Sequence, residues 1–129
     1  MASFDELVDL MAYMRSPEGC PWDRKQKIDD FKKYLSEESR EALDAIDKKD
    51  YPNLCEELGD LLWHILFISQ IAKEEGLFTI DEVVDGLKKK IVRRHPHVFG
   101  EGRKLSTPEE VIKEYGKIKA LEKKTNDFY

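Results

Sequence analysis

The 129-residue chain has few of the residues that build disulfide-rich, turn-rich or membrane-spanning proteins. Its two cysteines, Cys20 and Cys55, are too few for a disulfide framework, so we expect reduced thiols. Seven glycines and five prolines beside a charged fraction of 38% argue against an all-β sandwich or barrel and favour exposed helical faces. The longest apolar stretch, residues 61–71, contains polar interruptions and is far shorter than the roughly 20 residues of a membrane span.

The charge balance and the first residues narrow the possible functions further. With 22 basic and 27 acidic side chains the formal net charge is −5, which argues against general binding of nucleic acids. Residues 1–6 carry acid where a signal peptide would carry base, and no apolar segment follows them. We therefore expect a cytoplasmic protein with neither a membrane nor a nucleic acid as its partner.

Apolar residues recur with a period near 3.6 in five stretches, and each stretch begins with a recognisable signal. Ser3 and Thr79 each precede a glutamate by three residues, as in a capping box, and Thr107 precedes a proline. Helices are predicted over about residues 4–15, 27–47, 51–75, 80–94 and 107–121, with irregular loops at about 16–21 and 95–106 and a frayed tail from about 125. The expected fold is an all-α antiparallel helical bundle of about five helices with a four-helix core. We expect residues 1–129 to be one domain, with its core over about residues 4–124.

Two pairs of acidic residues stand where apolar residues are expected. Glu38 and Glu41 are three apart on the second predicted helix, and Glu57 and Asp60 are three apart on the third, so each pair shares a helix face. The predicted turn lies about midway between the two pairs. Antiparallel packing would therefore bring four carboxylates together at one partly buried place.

Such a cluster is unstable by itself, because like carboxylates repel one another and burial removes their water. A hard divalent cation would balance the charge, and all-oxygen ligands favour Mg²⁺ or Mn²⁺ over zinc or copper. A di-iron carboxylate site needs Glu-x-x-His motifs, and His64 stands at the wrong spacing, four residues after Asp60. The alternative interpretation is an acidic stripe in solvent.

Basic residues near the end of the fourth predicted helix suggest a ligand for the opposite charge. Lys90 and Arg94 are four apart, so they point the same way, and a lysine with a bidentate guanidinium suits a polyphosphate. The alternative is that they are surface residues at a helix end. The chain has no Gly-rich phosphate loop, so a nucleotide would be held through metal and side chains.

Four motifs follow one another along the chain: Cys20-Pro21-Trp22-Asp23-Arg24 with Gln26, Glu37-Glu38-x-x-Glu41, Glu57-Leu58-Gly59-Asp60-Leu61-Leu62, and Arg93-Arg94-His95-Pro96-His97-Val98-Phe99-Gly100. In this order they resemble the MazG-type nucleoside triphosphate pyrophosphohydrolases, and the resemblance covers about residues 5–121. It implies an all-α fold related to the all-α dUTPase-like enzymes. It also implies Mg²⁺ dependence and a homodimer or homotetramer with a shared site. The implied reaction is hydrolysis of NTPs or dNTPs to monophosphate and pyrophosphate, in house-cleaning of the nucleotide pool.

The resemblance also implies roles for individual residues. By position, the metal ligands are Glu38, Glu41, Glu57 and Asp60, the phosphate-binding residues are Lys90 and Arg94, and Lys119 matches a lysine of the last helix. The chain departs from the family pattern at Tyr115, where a tryptophan is frequent, and at Lys27-Ile28, where Thr-His is frequent.

The sequence supports a mechanistic hypothesis with two rivals. We expect the carboxylates to hold one or two Mg²⁺ ions while water attacks the α phosphorus, with Glu37 or Glu41 accepting its proton. Trp22 or Tyr115 would contact the base, although Trp22 could instead plug the end of the bundle. The rivals are a non-catalytic helical module that regulates a partner protein, and a nucleic-acid-binding domain that uses the basic C-terminal third.

Overall fold

The computed structural model describes residues 1–100 and 102–125, and across these ranges the chain forms helices and no strand. The described helices are α1 (Phe4–Met14), α2 (Pro21–Lys25), α3 (Phe31–Asp47), α4 (Tyr51–Glu74), α5 (Ile80–Arg93), α6 (Pro96–Phe99) and α7 (Pro108–Thr125), with a 3₁₀ turn at Ile28–Asp30. The predicted all-α class is confirmed, and the five predicted helices correspond to α1, α3, α4, α5 and α7. The chain divides into two compact units, a first unit, Met1–Ile80, and a second unit, Asp81–Tyr129.

Local capping explains where the long helices of the first unit begin and end. The Ser3 hydroxyl accepts the backbone N–H of Glu6 at 3.1 Å, which starts α1. The Asp50 carboxylate accepts the backbone N–H of Asn53 at 3.3 Å and starts α4, which ends just before Gly76 at φ +73°. Only residues 48–50 join α3 to α4, so these two helices pack as an antiparallel pair.

The core of the first unit lies between α1, α3 and α4. Its main cluster of buried apolar side chains is Met11, Phe31, Leu66, Phe67 and Ile71. At the end of α1 the guanidinium of Arg15 donates to the Glu74 carboxylate at 2.8 and 2.9 Å and to the carbonyl oxygens of Asp23 and Gln26. Arg15 thereby fastens α1 and α2 to the end of α4.

Two short helices differ from the sequence predictions. The predicted loop at 95–106 was wrong in part, because Pro96–Phe99 forms α6. Pro21 likewise begins α2, where no helix was predicted, and the Arg24 guanidinium donates to the carbonyl oxygens of Ser16 and Pro17 at 2.8 and 3.0 Å. In both helices proline occupies the first helical position, where its fixed φ is favourable and its missing N–H costs nothing. The predicted frayed tail lies almost wholly outside the described residues.

The second unit is built from α5, α6 and α7. Thr107 accepts the backbone N–H of Glu110 at 3.2 Å, so α7 begins where the sequence predicted. The apolar side chains of α5 remain largely exposed, Val84 at 48% and Leu87 at 54%. Within the ranges that the structure describes, no helix has the length and hydropathy needed to cross a membrane.

Candidate functional site

The antiparallel pair α3–α4 places acidic residues from both helices side by side. One carboxylate oxygen from each of Glu38, Glu41 and Glu57 lies within 4.8 Å of the other two. Asp60 is not among these three, but its charge contributes to raising the pKa of both Glu38 and Glu57. The helix pair therefore brings together three of the four carboxylates that the sequence singled out, and the charge of the fourth, Asp60, acts on the same groups.

The electrostatics of this acidic cluster are dominated by burial and by repulsion. Glu38 is 8% exposed, and its Oε1 atom is buried without a hydrogen-bond partner in the described part of the chain. Burial, a hydrogen bond with Glu57 and the charges of its neighbours raise the pKa of Glu38 to about 7. Burial and the nearby carboxylates also raise the pKa of Glu57.

These observations fit a hard divalent cation. Three carboxylates within reach of one another can supply oxygen ligands to such an ion, and the ion would compensate the buried oxygen of Glu38 that has no partner in the described residues. Glu38, Glu41 and Glu57 are therefore the residues placed to hold such an ion, with Asp60 beside them. Glu37 is more exposed, with 56% of its side chain accessible and Lys33 at 4.0 Å.

An aromatic cavity of the first unit lies near the acidic cluster, since the charges of Asp60 and Glu41 act on His64, one of its lining residues. Trp22, which is 51% exposed, has its ring centroid 5.9 Å from that of Tyr34 and 6.4 Å from that of Phe67. The cavity has a volume of about 120 Å³, and the residues that line it are Trp22, Asp23, Phe31, Tyr34, Trp63, His64 and Phe67. Burial lowers the pKa of His64, against the pull of Asp60 and Glu41. Flat apolar walls of this kind can stack against a nucleobase.

In the second unit, three of the residues predicted to bind the phosphates or the base lie close together: Arg94, Tyr115 and Lys119. The Nη1 atom of Arg94 donates to the hydroxyl of Tyr115 at 2.9 Å, and the Arg94 guanidinium lies 5.3 Å from the centroid of that ring. Lys119 Nζ lies 5.6 Å from the same ring. Lys90 lies one helical turn before Arg94 and is half-buried.

Arg93, Arg94 and Lys119 form a basic cluster. The sequence analysis missed Glu122, the carboxylate that binds the two arginines of this cluster. Its carboxylate is 5% exposed and accepts from Arg93 Nε at 2.6 Å and from Arg94 Nη2 at 2.7 Å. The hydrogen bonds from Arg94 and Arg93 lower the pKa of Glu122 to about 2 and, reciprocally, raise the pKa of Arg94. The available signal was its spacing, three residues after Lys119 and seven after Tyr115, which puts all three on one face of α7.

An open cleft lies beside this cluster within the second unit. Its volume is about 390 Å³, and its lining residues are Arg94, Gly116, Lys119, Ala120 and Lys123. Three of these five side chains are cationic, and the other two lining residues are glycine and alanine. The cleft therefore has the charge and the space to take an anion such as a phosphate group.

Comparison with known proteins adds the family context. Residues 26–99 match the model of the MazG nucleotide pyrophosphohydrolase domain. A nucleoside triphosphate pyrophosphohydrolase/pyrophosphatase MazG of Thermotoga maritima is 49% identical over 120 residues, which is 93% of this chain and 45% of that protein. A nucleoside triphosphate pyrophosphohydrolase of Escherichia coli K12 is 40% identical over 124 residues, which is 95% of this chain and 47% of that protein.

A solved structure shows a similar fold. The crystal structure of a MazG-related protein from Thermotoga maritima superposes with a TM-score of 0.73 at 28% sequence identity. The superposition covers 90% of this chain and 98% of that one. By contrast, the chain spans less than half the length of the two curated relatives that it matches.

Proposed function

The chain belongs to the MazG nucleotide pyrophosphohydrolase family, and on that premise we propose that it hydrolyses nucleoside triphosphates to monophosphate and pyrophosphate. NTPs and dNTPs are both included in the proposal. The observation that carries it is the acidic cluster, in which three carboxylate oxygens from Glu38, Glu41 and Glu57 lie within 4.8 Å of one another. Because the chain covers only part of its named relatives, their activity is a proposal for this chain.

We propose that the acidic cluster holds Mg²⁺, with Mn²⁺ as a substitute. The ligands would be Glu38, Glu41, Glu57 and Asp60. When bound, such an ion lowers the pKa of water and neutralises charge on the phosphates. The buried, unpaired Oε1 of Glu38 supports this assignment, because an uncompensated carboxylate oxygen is costly without a cation.

In the proposed reaction a water oxygen bonds to the α phosphorus, and the bond from that phosphorus to the bridging oxygen breaks. Glu41 or Glu37 accepts the water proton, and the bridging oxygen leaves with pyrophosphate. Lys90, Arg94 and Lys119 would bind phosphate oxygens and neutralise their charge. This role suits Arg94 and Lys119 because both line the cationic cleft.

We assign recognition of the base to aromatic side chains. Trp22 lines the aromatic cavity of the first unit, whereas Tyr115 stands among the cations of the second unit. Either ring offers a face on which a base can stack. Stacking tolerates different bases, so aromatic contact alone would give a broad substrate range.

The remaining proposals concern the working form of the protein. We propose that residues 1–129 act as one domain and assemble as a homodimer or homotetramer. Exposed apolar side chains support assembly, among them Leu58 at 53% on α4 and Leu87 at 54% on α5. A role in cleaning the nucleotide pool would place the enzyme in the cytoplasm, where its substrates are made.

The exposed apolar side chains also support a second candidate function. A non-catalytic regulatory module would use this surface to bind a partner protein, and its binding would not depend on the acidic residues. Turnover of a nucleotide by the purified chain is the observation that separates these two functions.

The test is product analysis by phosphorus NMR. The purified chain is incubated with Mg²⁺ and a panel of canonical and modified nucleoside triphosphates, beside an Asp60→Ala variant and a sample containing EDTA. We expect monophosphate and pyrophosphate from the wild type and neither product in the two other samples. Diphosphate with inorganic phosphate, or no turnover by folded protein, would contradict the proposal.

A further inference from the structure

Glu122 is a buried carboxylate shared by two arginines on another helix. Arg93 Nε donates to its Oε2 atom at 2.6 Å, and Arg94 donates to its Oε1 atom from Nη2 at 2.7 Å and from Nε at 3.0 Å. Only 6% of the Glu122 side chain and 15% of the Arg94 side chain are exposed. These hydrogen bonds therefore hold the Nε and Nη2 edge of the Arg94 guanidinium against Glu122 of α7.

The contacts of Arg94 leave part of its hydrogen-bonding capacity for a ligand. An arginine guanidinium carries five N–H donors. Arg94 uses one at Nε and one at Nη2 for Glu122, and one at Nη1 for the Tyr115 hydroxyl. Within residues 1–100 and 102–125 this leaves two donors, one on each terminal nitrogen, in a side chain that lines the cationic cleft.

The local charge balance also favours an anion. Arg93, Arg94, Lys119 and Lys123 supply four positive charges, and Glu122 supplies one negative charge, so these five residues sum to +3. Glu122 thus orients Arg94 without cancelling the positive charge of the cleft. A phosphate group of pyrophosphate has the charge and the oxygens to accept from two guanidinium donors.

We propose that Glu122 is a positioning residue: it holds the Arg94 guanidinium at the wall of the cleft so that the two remaining donors bind a phosphate group. Naming the ligand as the pyrophosphate part of a nucleotide rests on the proposed function. The opposite role would be competition, in which Glu122 withholds Arg94 from the ligand. The two roles differ in sign, because neutralising Glu122 weakens anion binding in the first and strengthens it in the second.

The test is calorimetric titration of the full chain with inorganic pyrophosphate in EDTA. For Glu122→Gln, which keeps the shape but loses the charge, we expect pyrophosphate affinity to fall about tenfold. The KM for a nucleoside triphosphate measured with Mg²⁺ should rise by a similar factor. The matched control is Glu109→Gln, which makes the same change at an exposed position in the first turn of α7 and should stay within about twofold of the wild type.

A second background separates positioning from a general effect on folding. In an Arg94→Ala chain, Glu122→Gln should change pyrophosphate affinity by less than about twofold, because the group it positions is gone. A purely structural role would lower the folded fraction and the binding stoichiometry but leave the affinity of folded molecules unchanged. Should Glu122→Gln fail to fold, Glu122→Asp retains the charge with a shorter reach, and we expect an affinity about threefold weaker than the wild type.

Several outcomes would overturn the proposal. These are unchanged or tighter pyrophosphate binding by folded Glu122→Gln, an equal effect of this substitution in the Arg94→Ala background, and absence of pyrophosphate binding by the wild type. If the wild type turns over nucleotides while Glu122→Gln behaves identically, the positioning role fails and the proposed function stands. If pyrophosphate binding depends on Glu122 but no nucleotide is turned over, the proposed function fails alone.

Discussion

Glu38 and Glu122 are both buried glutamates, and their pKa values are displaced in opposite directions. Glu38 is 8% exposed and has a pKa raised to about 7, whereas Glu122 is 5% exposed and has a pKa lowered to about 2. Burial raises both values, so the difference comes from the neighbours. Glu38 faces other carboxylates, and Glu122 faces two guanidinium groups.

The comparison shows how one chain can prepare two kinds of charged site. The carboxylates of the acidic cluster repel one another and supply no positive charge of their own. The cluster therefore favours binding of a cation from solution. The basic cluster contains its own counterion in Glu122, so it is ordered before any ligand arrives. Substitutions in the two clusters should therefore change stability in opposite directions.

The largest expected effect comes from removing one carboxylate of the acidic cluster. Glu57→Gln should lower nucleotide hydrolysis about 100-fold or more, because the metal site loses a charged ligand. In EDTA the same substitution should raise the melting temperature, because it relieves repulsion around Glu38. Steady-state rates and thermal unfolding followed by circular dichroism measure the two effects.

The adjacent Glu56 provides the matched control, since it is exposed and makes the same charge change possible on α4. Glu56→Gln should leave both the rate and the melting temperature near the wild-type values. If Glu57→Gln and Glu56→Gln had the same rate and melting temperature, the acidic cluster would have no role in the reaction.

The second-largest effect is expected from removing Glu122, the carboxylate that balances the charges of Arg93 and Arg94. Glu122→Ala should lower the melting temperature by about 5 °C or more, with or without Mg²⁺, because two largely buried guanidinium groups lose their acceptor. Glu109→Ala on the same helix is the control and should change it little. An undiminished melting temperature in Glu122→Ala would show that the arginine contacts contribute nothing to folding.

A smaller effect should appear in the dependence of stability on pH without metal. The folded-state pKa of Glu38, raised from 4.5 to about 7, means that the native chain binds more protons than the unfolded chain between these values. This contribution to stability is therefore lost as the pH rises through that window. Glu122 acts in the other direction, since its pKa is lowered from 4.5 to about 2 and its contribution is lost as the pH falls through that range.

Thermal unfolding in EDTA across the pH range measures both slopes. We expect the loss above about pH 5 to be clearly smaller in Glu38→Gln, where only the raised pKa of Glu57 still contributes, and to be reversed by Mg²⁺ in the wild type. A neutral-range slope that is the same in Glu38→Gln as in the wild type would contradict the assigned origin.

The features predictable from the sequence were those set by local spacing. Ser3 and Thr107 cap the helices that their positions predicted, and Glu38, Glu41 and Glu57 meet because a three-residue connection forces an antiparallel turn between α3 and α4. Helix periodicity and loop length are sufficient for both. The predicted four-helix core and the residue roles remain predictions.

The features that escaped prediction depend on contacts distant in sequence or on very short segments. Glu122 stands beside lysines and resembles any exposed helical glutamate, and only its contacts with Arg93 and Arg94, 29 and 28 residues away, reveal its burial. The helices α2 and α6 span 5 and 4 residues, too few for an apolar period to emerge.

Calorimetric titration of the metal-free chain with Mg²⁺ tests most directly the claim that the acidic cluster is completed by a cation from solution, while the basic cluster is ordered by its own carboxylate, Glu122. We expect the wild type to bind Mg²⁺, Glu57→Gln to lose this binding, and Glu122→Gln to retain it. Absence of Mg²⁺ binding by the folded wild type, or binding by Glu57→Gln equal to that of the wild type, would contradict the claim.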